Sequence, residues 1–137
     1  IGDDPKLTLW HGHSFTANPL GCAAANASLD LLEEKPELYE NFENRHIDYL
    51  TRLSSHPKVS KPRVIGTIAA FTIKHDKETN NNNYLASAGG IIKKKVISQG
   101  VFIRPLGNVI YLLPPLCITD SQLEKCYSAI QTALDDL

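Results

Sequence analysis

A chain of 137 residues, 42% of them hydrophobic and 21% charged, has the profile of one ordinary globular domain, long enough to bury a core without disulfide or metal staples. Its formal net charge of -1, with no long basic run, gives no electrostatic reason to expect nucleic acid or an anionic membrane as partner. There is no signal-peptide pattern and no apolar run of about 18 residues, so nothing argues for secretion or membrane insertion. Cys22, Cys117 and Cys126 are odd in number, lack metal-ligand spacing and stand among apolar residues. They are expected to be buried reduced thiols, which suits the cytoplasm. The chain starts at Ile1 and contains no methionine, from which a fragment of a longer product is expected.

Residues 1–18 are rich in Gly, Pro, His and small polar residues, with Leu7, Leu9 and Trp10 as a brief apolar patch, and read as an extended segment and loop. Asn18-Pro19 then marks a helix start, because Asn is a good N-cap and Pro is preorganised for the first helical position. That helix is expected to run to about residue 35, with Leu20, Ala23, Ala24, Ala27 and Leu31 on a narrow face, and to end at Pro36. A second helix, expected over 37–54, places Leu38, Phe42, Tyr49, Leu50 and Leu53 on one stripe.

From 63 to 74 the β-branched and aromatic content rises and apolar residues occupy both parities, which predicts one strand covered on both faces. Residues 76–83, ending in four asparagines, read as a surface connection. A third helix over about 85–98 stops at Gly100, a glycine C-cap, and Lys93, Lys94 and Lys95 form its solvated face. Two short strands, 101–104 and 109–113, flank Pro105-Leu106-Gly107-Asn108 and read as a hairpin. The last helix opens with Thr119 and Gln122 in capping-box spacing and carries the clearest apolar stripe: Leu123, Cys126, Tyr127, Ile130, Ala133, Leu134 and Leu137. The expected fold class is α/β, of the α+β two-layer kind, with helices on a small, mostly antiparallel sheet.

Two places hold chemistry. Gly12, His13 and Ser14, with His11, precede a helix start, and a permissive backbone, a hydroxyl donor and the positive helix end suit an anion. Two histidines two apart without a third ligand make an incomplete metal site, so no metal is expected. Loop histidines bonded only to backbone are the plainer alternative. Arg104, at the end of an apolar strand, offers a planar fork for a carboxylate, and an internal salt bridge explains it equally well. Tyr111 stands on the returning strand.

The run His11-Gly12-His13-Ser14-Phe15-Thr16-Ala17-Asn18-Pro19-Leu20, leading into an Ala-rich helix, resembles the segment that follows the catalytic lysine of class III aminotransferases. The stretch from Gly100 through Arg104-Pro105-Leu106-Gly107 to Pro114-Pro115 is similar to one branch of that class, the adenosylmethionine-8-amino-7-oxononanoate aminotransferases of biotin synthesis. The resemblance implies the C-terminal part of a pyridoxal-phosphate-dependent transferase of type I fold. Residues 1–35 would close the large domain with a linking helix, and 36–137 would form the small domain.

It further implies a homodimer whose cofactor, pyridoxal 5'-phosphate, has its phosphate met by His13 and Ser14 of the neighbouring subunit. Gly12 and Arg104 would contact substrate, Arg104 through its carboxylate, and S-adenosylmethionine and 8-amino-7-oxononanoate would be the substrates. The cofactor-bearing lysine would lie ahead of Ile1, so no residue here is catalytic and the segment alone is expected to be inactive. Two other readings stand beside this one: a class III enzyme of the ornithine or 4-aminobutyrate type, and a non-catalytic binding or dimerisation module.

Overall fold

Local signals set several of the helix ends in a computed structural model that describes residues 12–74 and 87–137. The apolar patch at Leu7, Leu9 and Trp10, His11, and the asparagine-rich connection at 76–83 lie outside the described residues. The chain divides into two compact units, Ile1–Pro36 and Glu37–Leu137. Among the described residues no helix is long and apolar enough to cross a membrane.

The first unit carries helix α1, Pro19–Glu34. The Asn18 side chain accepts a hydrogen bond from the Leu20 amide at 3.0 Å, and Pro19 occupies the first turn, where its missing N–H costs nothing. No residue of α1 is buried within the chain.

The second unit opens with a short helix α2, Glu37–Glu40, and helix α3, Phe42–Leu53. The single helix expected over 37–54 is thus broken at Asn41, which takes bridge-region angles of φ -106° and ψ 6°. Helix α3 buries Phe42, His46, Leu50 and Leu53, a stripe at helical spacing with a histidine in its middle.

The single strand expected over 63–74 is two strands. Strand β1, Val59–Ile65, and strand β2, Ile68–Ile73, pair antiparallel around a two-residue turn at Gly66-Thr67. Gly66 has φ +53°, the left-handed value that the first position of a tight hairpin loop demands. The both-parity pattern is correct only for β2, which buries Ala69, Ala70, Phe71 and Ile73. Strand β1 is the largely exposed edge. Its register breaks between Ser60 and Arg63, where Lys61 has φ +50° and Pro62 sits where an edge strand tolerates a missing donor.

Helix α4, Ser87–Ser98, ends as expected. Gly100 has φ +79°, its amide donates to the Ile97 carbonyl at 2.9 Å, and the Val101 amide donates to Val96 at 3.2 Å, the paired bonds of a Schellman cap. Lys93, Lys94 and Lys95 do not share one face: Lys93 lies over the Phe102 ring and Lys95 reaches Asp136 at 3.5 Å. Consecutive residues on a helix diverge by about 100° each.

Strand β3, Val109–Leu112, completes a sheet of order β1-β2-β3 by pairing with β2. The expected partner at 101–104 is not a strand, since only Leu106 bridges Val109. Its apolar residues serve another purpose, for Val101 and Ile103 are turned into the core. Helix α5, Asp120–Asp135, starts with a complete capping box in which the Gln122 amide donates to the Thr119 hydroxyl at 3.3 Å and the Thr119 amide to the Gln122 side chain at 3.0 Å.

The core joins α3, α4 and α5 to the central strand through Leu50, Phe71, Ile92, Val96, Ile110, Leu123, Ile130 and Leu134. Burying each such side chain is worth about 1.5–3 kcal/mol. Inside it, His46 bridges three elements: Nδ1 lies 2.7 Å from the Tyr127 hydroxyl and Nε2 lies 3.1 Å from the Thr67 carbonyl. The expectation of three buried thiols fails, because Cys22 and Cys117 are exposed and only Cys126, on the flank of α5, is half-buried. Apolar neighbours in sequence point to different sides of a helix or turn, so they do not imply burial of the residue between them.

Candidate functional site

Burial alternates along residues 101–104: Val101 and Ile103 face the core while Phe102 and Arg104 face outward. This period of two sets Arg104 beside Phe102 on the mouth of a cleft of about 770 Å³. Its walls are mainly apolar, with Phe102, Tyr111, Leu113, Pro114 and Ile118 among them, and Arg104, Lys125 and Gln122 are its polar members. Among the described residues no carboxylate forms an ion pair with Arg104, and its guanidinium makes no hydrogen bond.

The turn beyond Arg104 holds it in place. The Leu106 amide donates to Val109 at 2.9 Å and the Val109 amide returns the bond at 3.0 Å, around Gly107 with φ +60°. The Asn108 carbonyl accepts from the Ile73 amide at 2.9 Å, which ties the turn to β2. Cys126 faces the same cleft, and burial raises its thiol pKa despite the nearby Lys125 charge, so it stays protonated near neutrality.

The loop ahead of α1 is bonded mostly to itself. The His13 amide donates to Thr16 Oγ1 at 2.9 Å, the Thr16 amide to the His13 carbonyl at 3.0 Å, and the Phe15 amide to His13 Nδ1 at 3.0 Å. Most of its amides are therefore occupied inside the loop, and the Asn18 side chain takes the Leu20 amide at the helix end. Ser14 is left exposed with its hydroxyl unused among the described residues, and a side chain placed at Gly12 would meet nothing within 4 Å. The anion donors are thus fewer than the sequence pattern suggests, and the hydroxyl leads them.

His13 and Ser14 belong to one compact unit and Arg104 to the other. Among the described residues no group of three His, Cys, Asp or Glu side chains is placed to hold a metal ion. Lys125 escaped notice in the sequence and Gln122 was read only as a cap, because both fall off the apolar stripe of α5, where polar residues ordinarily face solvent.

The family model for class-III aminotransferases matches residues 2–134. The chain belongs to the class-III aminotransferase family. This class-III segment is 45% identical over 134 residues to the adenosylmethionine-8-amino-7-oxononanoate aminotransferase of Synechococcus elongatus, a match covering 98% of the chain and 31% of that protein. The chain therefore spans about a third of the length of the relative it matches.

The crystal structure of the adenosylmethionine-8-amino-7-oxononanoate aminotransferase from Methanocaldococcus jannaschii superposes with a TM-score of 0.80 at 32% identity, covering 94% of the chain and 30% of that structure. The PMP-bound form of an aminotransferase from Vibrio fluvialis gives 0.79 at 27%, covering 94% and 29%. The mixed α/β unit with its three-stranded antiparallel sheet is thus a fold found in class-III aminotransferases.

Proposed function

We propose that the chain is the C-terminal part of an aminotransferase of biotin synthesis, one that moves the amino group of S-adenosylmethionine to 8-amino-7-oxononanoate and gives 7,8-diaminononanoate. The observation that carries this reading is Arg104, an exposed guanidinium without a carboxylate partner among the described residues, at the edge of a cleft with mainly apolar walls. A keto acid with its carboxylate at the end of an aliphatic chain matches both halves of that surface. The guanidinium grips the carboxylate and the apolar wall excludes water from the chain.

The pyridoxal 5'-phosphate on which the family depends, when bound, supplies the electron sink that lets an amino group leave one carbon and join another. The loop at 12–16 fits its phosphate: Ser14 offers a hydroxyl with no other bond among the described residues, and Gly12 leaves room for close approach. His13 accompanies Ser14 at that phosphate and fixes the loop's shape through Nδ1. In this reading the pair serves the neighbouring subunit of a cytoplasmic homodimer, and Gly12 and Arg104 contact substrate. Residues 1–35 close the large domain and 36–137 are the small domain. No residue of 1–137 is assigned the cofactor-bearing lysine, and the segment alone performs neither half of the transfer.

The test is Arg104→Ala in the full-length enzyme. A charge-assisted hydrogen bond is worth about 1.5–3 kcal/mol, so the KM for the keto acid should rise roughly 10- to 150-fold while retention of the cofactor is unchanged. An unchanged KM removes Arg104 from the site and the reading with it. Transfer only from an ω-amino acid, in a panel of donors, would point to another branch of the family.

A further inference from the structure

Gly89, in the first turn of α4, is buried, and its Cα faces the turn that carries Arg104. A Cβ built at position 89 would overlap the Gly107 carbonyl oxygen and would stand 3.1 Å from Pro105 Cβ. Both neighbours are rigid: one is backbone and the other is the ring of the residue bonded directly to Arg104. Neither can swing aside as the end of a long side chain would, so any side chain at 89 displaces the turn itself. The adjacent Gly90 is different, for a Cβ there meets nothing within 4 Å.

The turn has two other restraints, the paired bonds between Leu106 and Val109 and the bond from the Ile73 amide to the Asn108 carbonyl. The first closes the turn from Leu106 to Val109, and the second holds Asn108 against β2. Where Pro105 and Gly107 come against α4, the bare backbone of Gly89 adds a third restraint, beside the burial of Ile103 in the core. We infer that Gly89 is a positioning residue for substrate binding, setting the height of the Pro105–Gly107 turn and thereby the place of the Arg104 guanidinium over the cleft. The inference rests on the reading of Arg104 as the carboxylate anchor and adds the residue that aims it.

The experiment compares Gly89→Ala, Gly90→Ala and Arg104→Ala in the full-length enzyme, measuring thermal unfolding, cofactor content and the kinetics of each half-reaction separately. A misplacement of about 1 Å in a binding group can cost on the order of a hundredfold. Gly89→Ala should therefore raise the keto-acid KM by roughly ten- to a hundredfold. Cofactor content and the half-reaction with the amino donor should stay near wild type. Gly90→Ala gains the same helix propensity without the overlap and should leave the keto-acid KM, the cofactor content and the amino-donor half-reaction unchanged.

If Arg104→Ala raises the keto-acid KM and Gly89→Ala does not, the positioning role is wrong and the anchor stands. If neither changes it, the anchor falls first and the positioning role with it. Equal losses in both half-reactions for Gly89→Ala would mark a general folding defect and also overturn the inference. Should Gly89→Ala fail to fold, Pro105→Ala replaces it, since it removes the ring beside position 89 and frees Arg104 from the restriction on a residue before proline. An unchanged keto-acid KM in that variant overturns the inference as well.

Discussion

Acidification should destabilise the second unit through one residue, His46. Its ring is fully buried, and the Thr67 carbonyl opposite Nε2 can only accept. Nε2 therefore carries the proton, Nδ1 is the acceptor, and the Tyr127 hydroxyl donates to it across 2.7 Å. A second proton on Nδ1 would turn that arrangement against itself and add charge to an apolar site beside Phe42 and the Arg45 guanidinium. Burial, opposed by the Thr67 bond and aided by Arg45, holds the His46 pKa below its ordinary 6.5. The Tyr127 hydroxyl, buried against the same ring, has its pKa pushed up and stays protonated throughout.

Between 6.5 and the lower native value the unfolded chain binds a proton that the native chain refuses, so the stabilisation is whole above 6.5 and declines as pH falls through that window. Its slope there is at most about 1.4 kcal/mol per pH unit.

Replacing His46 with Phe keeps a ring of comparable width, removes the titration and leaves the Tyr127 hydroxyl and the Thr67 carbonyl without their partner. Stability near neutrality should fall by about 2–4 kcal/mol, most of it from the buried hydroxyl. Urea unfolding at half-unit steps from pH 7.5 to 5 measures both quantities, and the difference between wild type and His46→Phe isolates this one group from other histidines. Parallel stability curves across the range would refute the account of a neutral, tautomer-locked ring.

The core and the helix ends give two further expected outcomes. Ile130 is fully buried on α5, so Ile130→Ala should lower the unfolding free energy by about 2–5 kcal/mol, read as a lower urea midpoint at an unchanged slope. Gly100 has φ +79° with Lys125 Nζ 3.3 Å from where a Cβ would lie, so Gly100→Ala should cost about 1–2 kcal/mol and lower Tm, whereas equal stability would contradict the strained cap.

Much of the chain declares itself locally. Asn18 and Pro19 start α1, Gly100 ends α4, and Thr119 with Gln122 starts α5, because capping is settled between residues a few positions apart. The loop at 12–14 and the Arg104 turn were legible as short motifs for the same reason, and their order along the chain pointed to the aminotransferase family. Sequence patterning failed where one signal had two structural meanings. The apolar run at 63–74 is a hairpin because Gly66 reverses it, and Val101 and Ile103 fill the core instead of pairing with β3.

Other features belong to the tertiary structure alone. A histidine in a polar-looking stretch of α3 becomes a buried bridge only because Thr67 and Tyr127, far off in sequence, supply its two partners. Likewise, nothing near Gly89 in the sequence shows that the carbonyl of Gly107 will press on it. Backbone permissions and helix ends are decided by neighbours along the chain, and so they can be read from residues. Burial, hydrogen-bond pairing and close approach are decided by neighbours in space, which exist only once the chain has folded.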